Sequence, residues 1–245
     1  MPSEMRVCGS HGEFKAHQFR SHWSGCPKCL EEIDLRHRQA EIERFEMERK
    51  DRMWKSILGR SAIPERFSEK TLENYFPKTE GAESALQICR EYAANFEGIL
   101  KIGRSLILCG GVGTGKTHLA VGIANAIMKE GKQPVFSSVS KAIRKIKETY
   151  ARDSVKTEDE AIQDFIKPDL LILDEVGVQF GSETEKMYLF EIINGRYELL
   201  KPTILISNLG RAELEKFIGT RVIDRLREGG GRMVVFDWGS YRREA

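Results

Sequence analysis

The 245-residue sequence predicts a doubly wound α/β domain built on a five-stranded parallel sheet, preceded by a small cysteine-rich module and a helical arm. Three observations carry this. From about residue 65, short continuous apolar runs alternate with helix-period stretches, the pattern of a parallel sheet covered on both faces. The first of these runs leads into a glycine-rich loop, and a later one ends in two acids. Ahead of them, residues 1–30 hold Cys8, Cys26 and Cys29 with few aliphatic side chains.

Composition narrows the function classes. Lys+Arg is 39 against Asp+Glu 37, which excludes a histone-like polycation, so any nucleic-acid contact must come from local patches. A hydrophobic fraction of 40% with 9% aromatics supplies a core. No apolar run approaches the ~20 residues of a membrane helix, and Met1-Pro2-Ser3-Glu4-Met5-Arg6 lacks an apolar signal stretch. A soluble, cytoplasmic protein with no membrane partner is expected. An odd cysteine count with a Cys-x-x-Cys pair then points to metal or free thiols rather than disulfides.

Taken in order, residues 1–30 form the first module. Cys8-x-x-His11 and Cys26-x-x-Cys29 are separated by 14 residues, a spacing suited to tetrahedral Zn²⁺. Thiolates with an imidazole suit that borderline-soft ion, and His17 and His22 are alternative donors. Free thiols in an unfolded tail are the competing account. So short a span has too little apolar content to fold unaided, and metal would supply the folding energy.

Residues 31–63 form the arm and linker. Charges of both signs and strong helix formers run to residue 58 without Pro or Gly, which predicts one long helix. Its apolar stripe is thin (Leu30, Ile33, Ala40, Met47, Trp54), as in a solvated spacer or half of an interface. Gly59 and Pro64 are expected to break it.

Residues 64–245 form the main domain, with strands expected at Leu106–Leu108, Val135–Phe136, Leu170–Leu173, Thr203–Ile206 and Met233–Phe236. After the first comes Gly110-Gly111-Val112-Gly113-Thr114-Gly115-Lys116-Thr117, then His118 and a helical period. The glycines let backbone N–H groups turn toward phosphate oxygens at a helix N-terminus. Lys116 reaches the β- and γ-phosphates, and the Thr117 hydroxyl ligates Mg²⁺. Leu170-Leu171-Ile172-Leu173-Asp174-Glu175 supplies the other half: Asp174 for Mg²⁺ and Glu175 to polarise the attacking water. The pair predicts a nucleotide triphosphatase, and the lack of an Asn-Lys-x-Asp stretch favours ATP over GTP.

Three further groups are candidates. Asn208, ending the fourth strand, can orient the lytic water or simply close a turn. Arg221 and Arg225 share a helix face, as a surface pair or as a group completing a neighbouring subunit's site. Lys141, Arg144, Lys145, Lys147 and Arg152, with Tyr150 for base stacking, suit single-stranded DNA. The same segment equally reads as a solvated amphipathic helix with Ala142, Ile143 and Ile146 inward.

The order of these motifs resembles an AAA+ ATPase. More narrowly, Gly110–Thr117, Leu171–Gln179, Ser207-Asn208, Arg221–Arg225 and the ending Phe236-Asp237-Trp238-Gly239-Ser240-Tyr241-Arg242 resemble the DnaC-type replicative helicase loaders of the DnaC/IstB-like group. The resemblance runs from about Phe67 to the C-terminus. It implies ATP bound by Lys116 and Thr117, Asp174 and Glu175 as the Mg²⁺ and catalytic acids, and Asn208 as γ-phosphate sensor. It implies Arg225, with Arg221 as the nearby alternative, as arginine finger, and Arg242 as a C-terminal arginine near the nucleotide. It also implies a loader that self-associates with ATP, binds the replicative helicase through its N-terminal region and places it on single-stranded DNA. A transposition helper ATPase of the IstB kind shares the core and is the alternative. A zinc adaptor with an inert ATP site is opposed by the intact Lys116, Asp174 and Glu175. The front departs from the enteric DnaC pattern, whose helical arm lacks clustered cysteines, and is closer to phage-encoded relatives.

Overall fold

The computed structural model of the chain describes residues 2–177 and 183–241, with backbone alone at 40, 43 and 46–60. Val178, Gln179 and Arg242, and the side chains of Ala40, Met47 and Trp54, lie outside the described residues. The chain divides into two compact units, Met1–Met53 and Trp54–Ala245.

In the first unit, β1 (Ser3–Cys8) and β2 (Gly12–Phe19) pair antiparallel, and β3 (His22–Trp23) adds to β2. Most of these side chains are exposed, whereas Ala16 is fully buried. A sheet this thin has almost no apolar core; its sequence signal is the short alternation of Met5 and Val7, and of Phe14 and Ala16, with polar neighbours, which the sequence reading passed over. Arg6 lies 4.7 Å from the Trp23 ring centroid, covering that face. Then α1 spans Pro27–Ser61. Proline fits a first helical turn because its missing N–H has no partner there. The helix therefore starts four residues before the expected Glu31 and continues past the expected break at Gly59. A single internal glycine costs a helix only ~1 kcal/mol; the stop comes at Ala62 (φ 55°), ahead of Pro64.

The second unit follows as α2 (Glu65–Ser68), α3 (Glu80–Ala94), α4 (Phe96–Ile102), β4 (Leu106–Gly110), α5 (Lys116–Lys129), β5 (Pro134–Ser138), α6 (Val139–Lys147), α7 (Glu158–Ile166), β6 (Leu170–Val176), α8 (Glu183–Glu198), β7 (Thr203–Ser207), α9 (Arg211–Ile218), α10 (Thr220–Arg227) and β8 (Arg232–Phe236). The expected strands form one five-stranded parallel sheet in the order β5-β6-β7-β4-β8. Alternate residues serve opposite faces. Leu106, Leu108, Ile172, Ile204 and Ile206 pack with α3 and α5. Ile107, Cys109, Leu171, Leu173 and Leu205 pack with α6, α7, α8 and α10. Both faces being covered is why each strand reads as an unbroken apolar run. The carboxyl ends of β4, β6 and β7 lie side by side, where such sheets bind ligands.

One buried cation ties this layer together. Arg196 of α8 is fully buried and makes no ion pair among the described residues; it donates to Phe165 O, Ile166 O and Pro168 O (each 2.9 Å), Pro202 O (2.6 Å) and Thr203 Oγ1 (3.0 Å). Its fork thus caps the C-terminal carbonyls of α7 from a neighbouring helix, where a positive charge complements the dipole. Arg196→Met should cost about 3–5 kcal/mol by orphaning those acceptors, read as a lowered urea midpoint at unchanged slope. Arg196→Lys, lacking the fork, should recover only a minor part. Wild-type midpoints for both would refute this role.

Candidate functional site

β4 ends at Gly110 and α5 begins at Lys116, so the glycine-rich loop joins a buried strand to a helix N-terminus. Gly115 sits at φ 97°, and an added Cβ would meet the Tyr75 ring at 2.5 Å, so only glycine fits there. Lys116 is buried, its Nζ donating to Gly110 O (2.8 Å) and Gly111 O (2.5 Å). Thr117 Oγ1 donates to Asp174 Oδ2 at 2.9 Å, joining the loop to the end of β6. Burial pushes the Asp174 carboxyl above its ordinary value, against the Thr117 hydroxyl and the Glu175 N–H that hold it down. A divalent cation between Thr117 and Asp174 would reverse that shift.

Glu175 is exposed and adopts φ 61° where the β6–β7 register slips between Leu173 and Val176. A glutamate in the left-handed region is strained by about 1–3 kcal/mol, a cost found where a side chain must be aimed. Here it turns Glu175 into the same cleft as Asp174 and Asn208. That cleft, of about 870 Å³, is walled on its other side by the segment from Arg66 to Lys78. His118 also lines it; its Nε2 donates to Asn74 Oδ1 (2.8 Å) and Thr71 O (3.0 Å), which ties α5 to that segment. Burial lowers its proton affinity.

In the first unit, Cys8, His11, Cys26 and Cys29 converge: one ligand atom from each lies within 4.8 Å of all the others. His11 Nδ1 faces the sulfurs of Cys29 (3.3 Å), Cys8 (3.8 Å) and Cys26 (3.9 Å), while its Nε2 meets Glu32 Oε1 at 3.0 Å. A carboxylate on the far nitrogen orients a ligating imidazole and fixes its tautomer. The Ser10 backbone N–H, foremost, and the neighbouring Cys29 and His11 bring the Cys8 thiol down to about 6. Beside that negative charge Cys29 is pushed up to about 11. A soft cation between them would relieve the crowding. His17 and His22 stand outside this cluster.

The profile of the family described as IstB-like ATP binding protein matches residues 33–242. The replicative helicase loader DnaC of Escherichia coli K12 is 35% identical over 206 residues, covering 83% of this chain and 82% of that protein. The chain belongs to the IstB/DnaC-like family of ATP-binding proteins. The crystal structure of the DnaC helicase loader is similar at TM-score 0.63 and 27% identity, covering 71% of this chain and 100% of that one. The DnaA replication initiator bound to AMPPCP and single-stranded DNA is similar at TM-score 0.59 and 27% identity, covering 73% of this chain and 52% of that one.

Within this DnaC-like chain, the loop residues Val112–His118 line one cleft with Asp174, Glu175 and Asn208. Arg221 and Arg225, on α10, are not among its lining residues. Arg225 is packed with its guanidinium 4.7 Å from the Phe190 ring and 5.6 Å from the Tyr197 ring, and its Nη1 is buried with no hydrogen-bond partner among the described residues. Arg221, one turn earlier, is exposed. On α6, Val139, Ala142, Ile143 and Ile146 are buried, and the basic residues form the opposite face. Lys145 pairs with Asp164 (3.1 Å) and Lys147 with Glu185 (3.4 Å). Lys141 and Arg144 make no ion pair among the described residues. The ring of Tyr150 is exposed, but its hydroxyl is engaged by Tyr188.

Sequence reasoning missed the wall from Arg66 to Lys78, Glu32 behind His11, and the strain at Glu175. No local signal marks them, because each acts through a partner distant in sequence or through backbone conformation. No described helix is long and apolar enough to cross a membrane.

Proposed function

We propose that this chain is an ATP-hydrolysing loader that binds the replicative DNA helicase and helps deposit it on single-stranded DNA. The observation that carries the reading is the Thr117–Asp174 contact under a formed phosphate loop, in a chain similar to DnaC over four-fifths of both lengths. The loop amides and α5 N-terminus receive the phosphates, and Lys116 leaves its carbonyl partners for the β/γ oxygens. Thr117 and Asp174 would hold Mg²⁺, which supplies positive charge against the transferring phosphoryl group. Glu175, exposed at the cleft, accepts the proton of the attacking water, and Asn208 orients it.

The domain limits we assign are 1–30 for a zinc module, 31–63 for a helicase-docking arm and 64–245 for the ATPase. The convergence of Cys8, His11, Cys26 and Cys29, with Glu32 behind, supports one structural Zn²⁺. On α1, Leu30, Ile33, Leu35, Ile42 and Phe45 are exposed, which supports a partner for the arm. Lys141 and Arg144 form the proposed single-stranded DNA contact, supported by the likeness to the DNA-bound DnaA structure. The family description also covers IstB-like proteins; an ATPase that served a transposase and ignored the helicase would belong there.

Self-association places an arginine of α10 against a neighbour's nucleotide. Arg221→Ala or Arg225→Ala should leave binding to one subunit intact while lowering assembled hydrolysis on the order of 10³-fold. Exposed Arg221 needs no repacking to act in trans. Mixing each variant with Lys116→Ala subunits, which retain both arginines, should restore activity for the true finger. Failure of both mixtures would remove the in-trans role.

A further inference from the structure

The end of β8 carries the chain directly along the outer side of the phosphate loop. Gly111 N donates to Phe236 O (2.9 Å), the Trp238 indole Nε1 donates to Thr114 O (3.0 Å), and the Tyr241 backbone N donates to Gly113 O (3.0 Å). From the opposite end of the domain, the buried Tyr75 donates its hydroxyl to the same Thr114 carbonyl (3.2 Å) and lies 3.4 Å from the Tyr241 hydroxyl. Lys78 N donates to Tyr241 Oη (3.2 Å), and the Tyr75 and Tyr241 rings meet edge-on at 5.8 Å. The Trp238 ring packs on Gly81, where an added Cβ would come to 3.2 Å.

A phosphate loop works only if its N–H groups point at the ligand, which turns the carbonyls of the same peptides outward. Buried outward carbonyls need donors. The carbonyls of Gly113 and Thr114 have three, none of which comes from the loop itself. Trp238 is not among the residues lining the cleft, so any influence it has on a bound nucleotide passes through the loop.

We propose that Tyr75, Trp238 and Tyr241 form an aromatic clamp that holds the phosphate loop in its binding conformation for a nucleoside di- or triphosphate. Trp238 is a positioning residue, whereas Tyr75 and Tyr241 also line the cleft; the proposal rests on the nucleotide-binding reading of the loop. Preorganisation of this kind removes a reordering cost from binding. Because the loop amides serve the β-phosphate, ATP and ADP should depend on the clamp alike. Because two donors share Thr114 O, losing one leaves that carbonyl satisfied and losing both orphans it.

The test is titration calorimetry of the full chain with MgATP and MgADP, using Trp238→Phe, which keeps a ring, Tyr75→Phe, which removes only a hydroxyl, and both together. Each single variant should lose roughly 2- to 10-fold in affinity for both nucleotides. The double variant should lose more than the product of the singles. Should Trp238→Phe not fold, Tyr75→Phe reads the same carbonyl. Affinities within twofold of wild type in every folded variant, or a loss confined to ATP, would overturn the clamp. Wild-type protein that bound neither nucleotide would instead overturn the reading of the loop, and Lys116→Ala, expected to lose both, separates the two outcomes.

Discussion

Lys116→Ala is expected to lower affinity for ATP on the order of 100-fold, the scale of losing a charge-assisted contact in a dry site. The lysine is already buried and held over the loop by Gly110 O and Gly111 O, where the phosphates would arrive. Glu175→Gln should behave oppositely. Its side chain is exposed and makes no hydrogen bond to the phosphate loop among the described residues, so nucleotide stays bound while hydrolysis falls about 10²- to 10⁴-fold with loss of the base. Binding by a fluorescent ATP analogue and phosphate release measure the two effects separately. Equal ATP affinity in wild type and the Lys116 variant would refute the site.

The second large effect concerns the first unit. Purified protein should carry about one zinc per chain, released by chelators or at low pH as thiolates and imidazole take up protons. Cys26→Ser removes a buried member of the Cys/His cluster from a module whose sheet buries almost nothing else. Residues 1–30 should then lose their fold, seen as collapse of their amide shift dispersion. Nucleotide affinity should stay at the wild-type value, because the cleft belongs to the other compact unit. Helicase binding should be lost with the module. Metal analysis without zinc would remove the first step, and normal helicase binding by the variant would remove the last.

The parts of the molecule that could be read beforehand share a cause. β4, β6 and β7 are sandwiched between helical layers, so their residues must be apolar on both faces, and composition alone marks them. The phosphate loop and the two Cys/His pairs are likewise legible because phosphate binding and metal ligation demand fixed residue types at fixed spacing. What escaped depends on distance or on exposure. β1 and β2 are held by backbone pairing with mostly exposed side chains, and their alternation (Met5 and Val7, Phe14 and Ala16) is too short to mark a buried sheet by itself. Arg196 reads as one more surface cation of a helix until α7 and the Pro202 turn close around it. Tyr75 and Trp238 meet at Thr114 from positions 39 residues before it and 124 after it, and neither motif alone suggests the other. Arg225 looked suited to act on a neighbour, and the packing of its guanidinium on Phe190 and Tyr197 is a tertiary fact.

Helicase deposition is the activity that tests a loader most directly. The host replicative helicase, a single-stranded DNA coated with its binding protein and the full chain with MgATP are combined, and helicase retained on the DNA is counted after a salt wash. Wild-type chain should raise the retained helicase severalfold over helicase alone, and the Lys116→Ala and Cys26→Ser variants should each return it to background. Retention unchanged by the wild-type chain, with both proteins folded and nucleotide bound, would contradict the assignment as a loader.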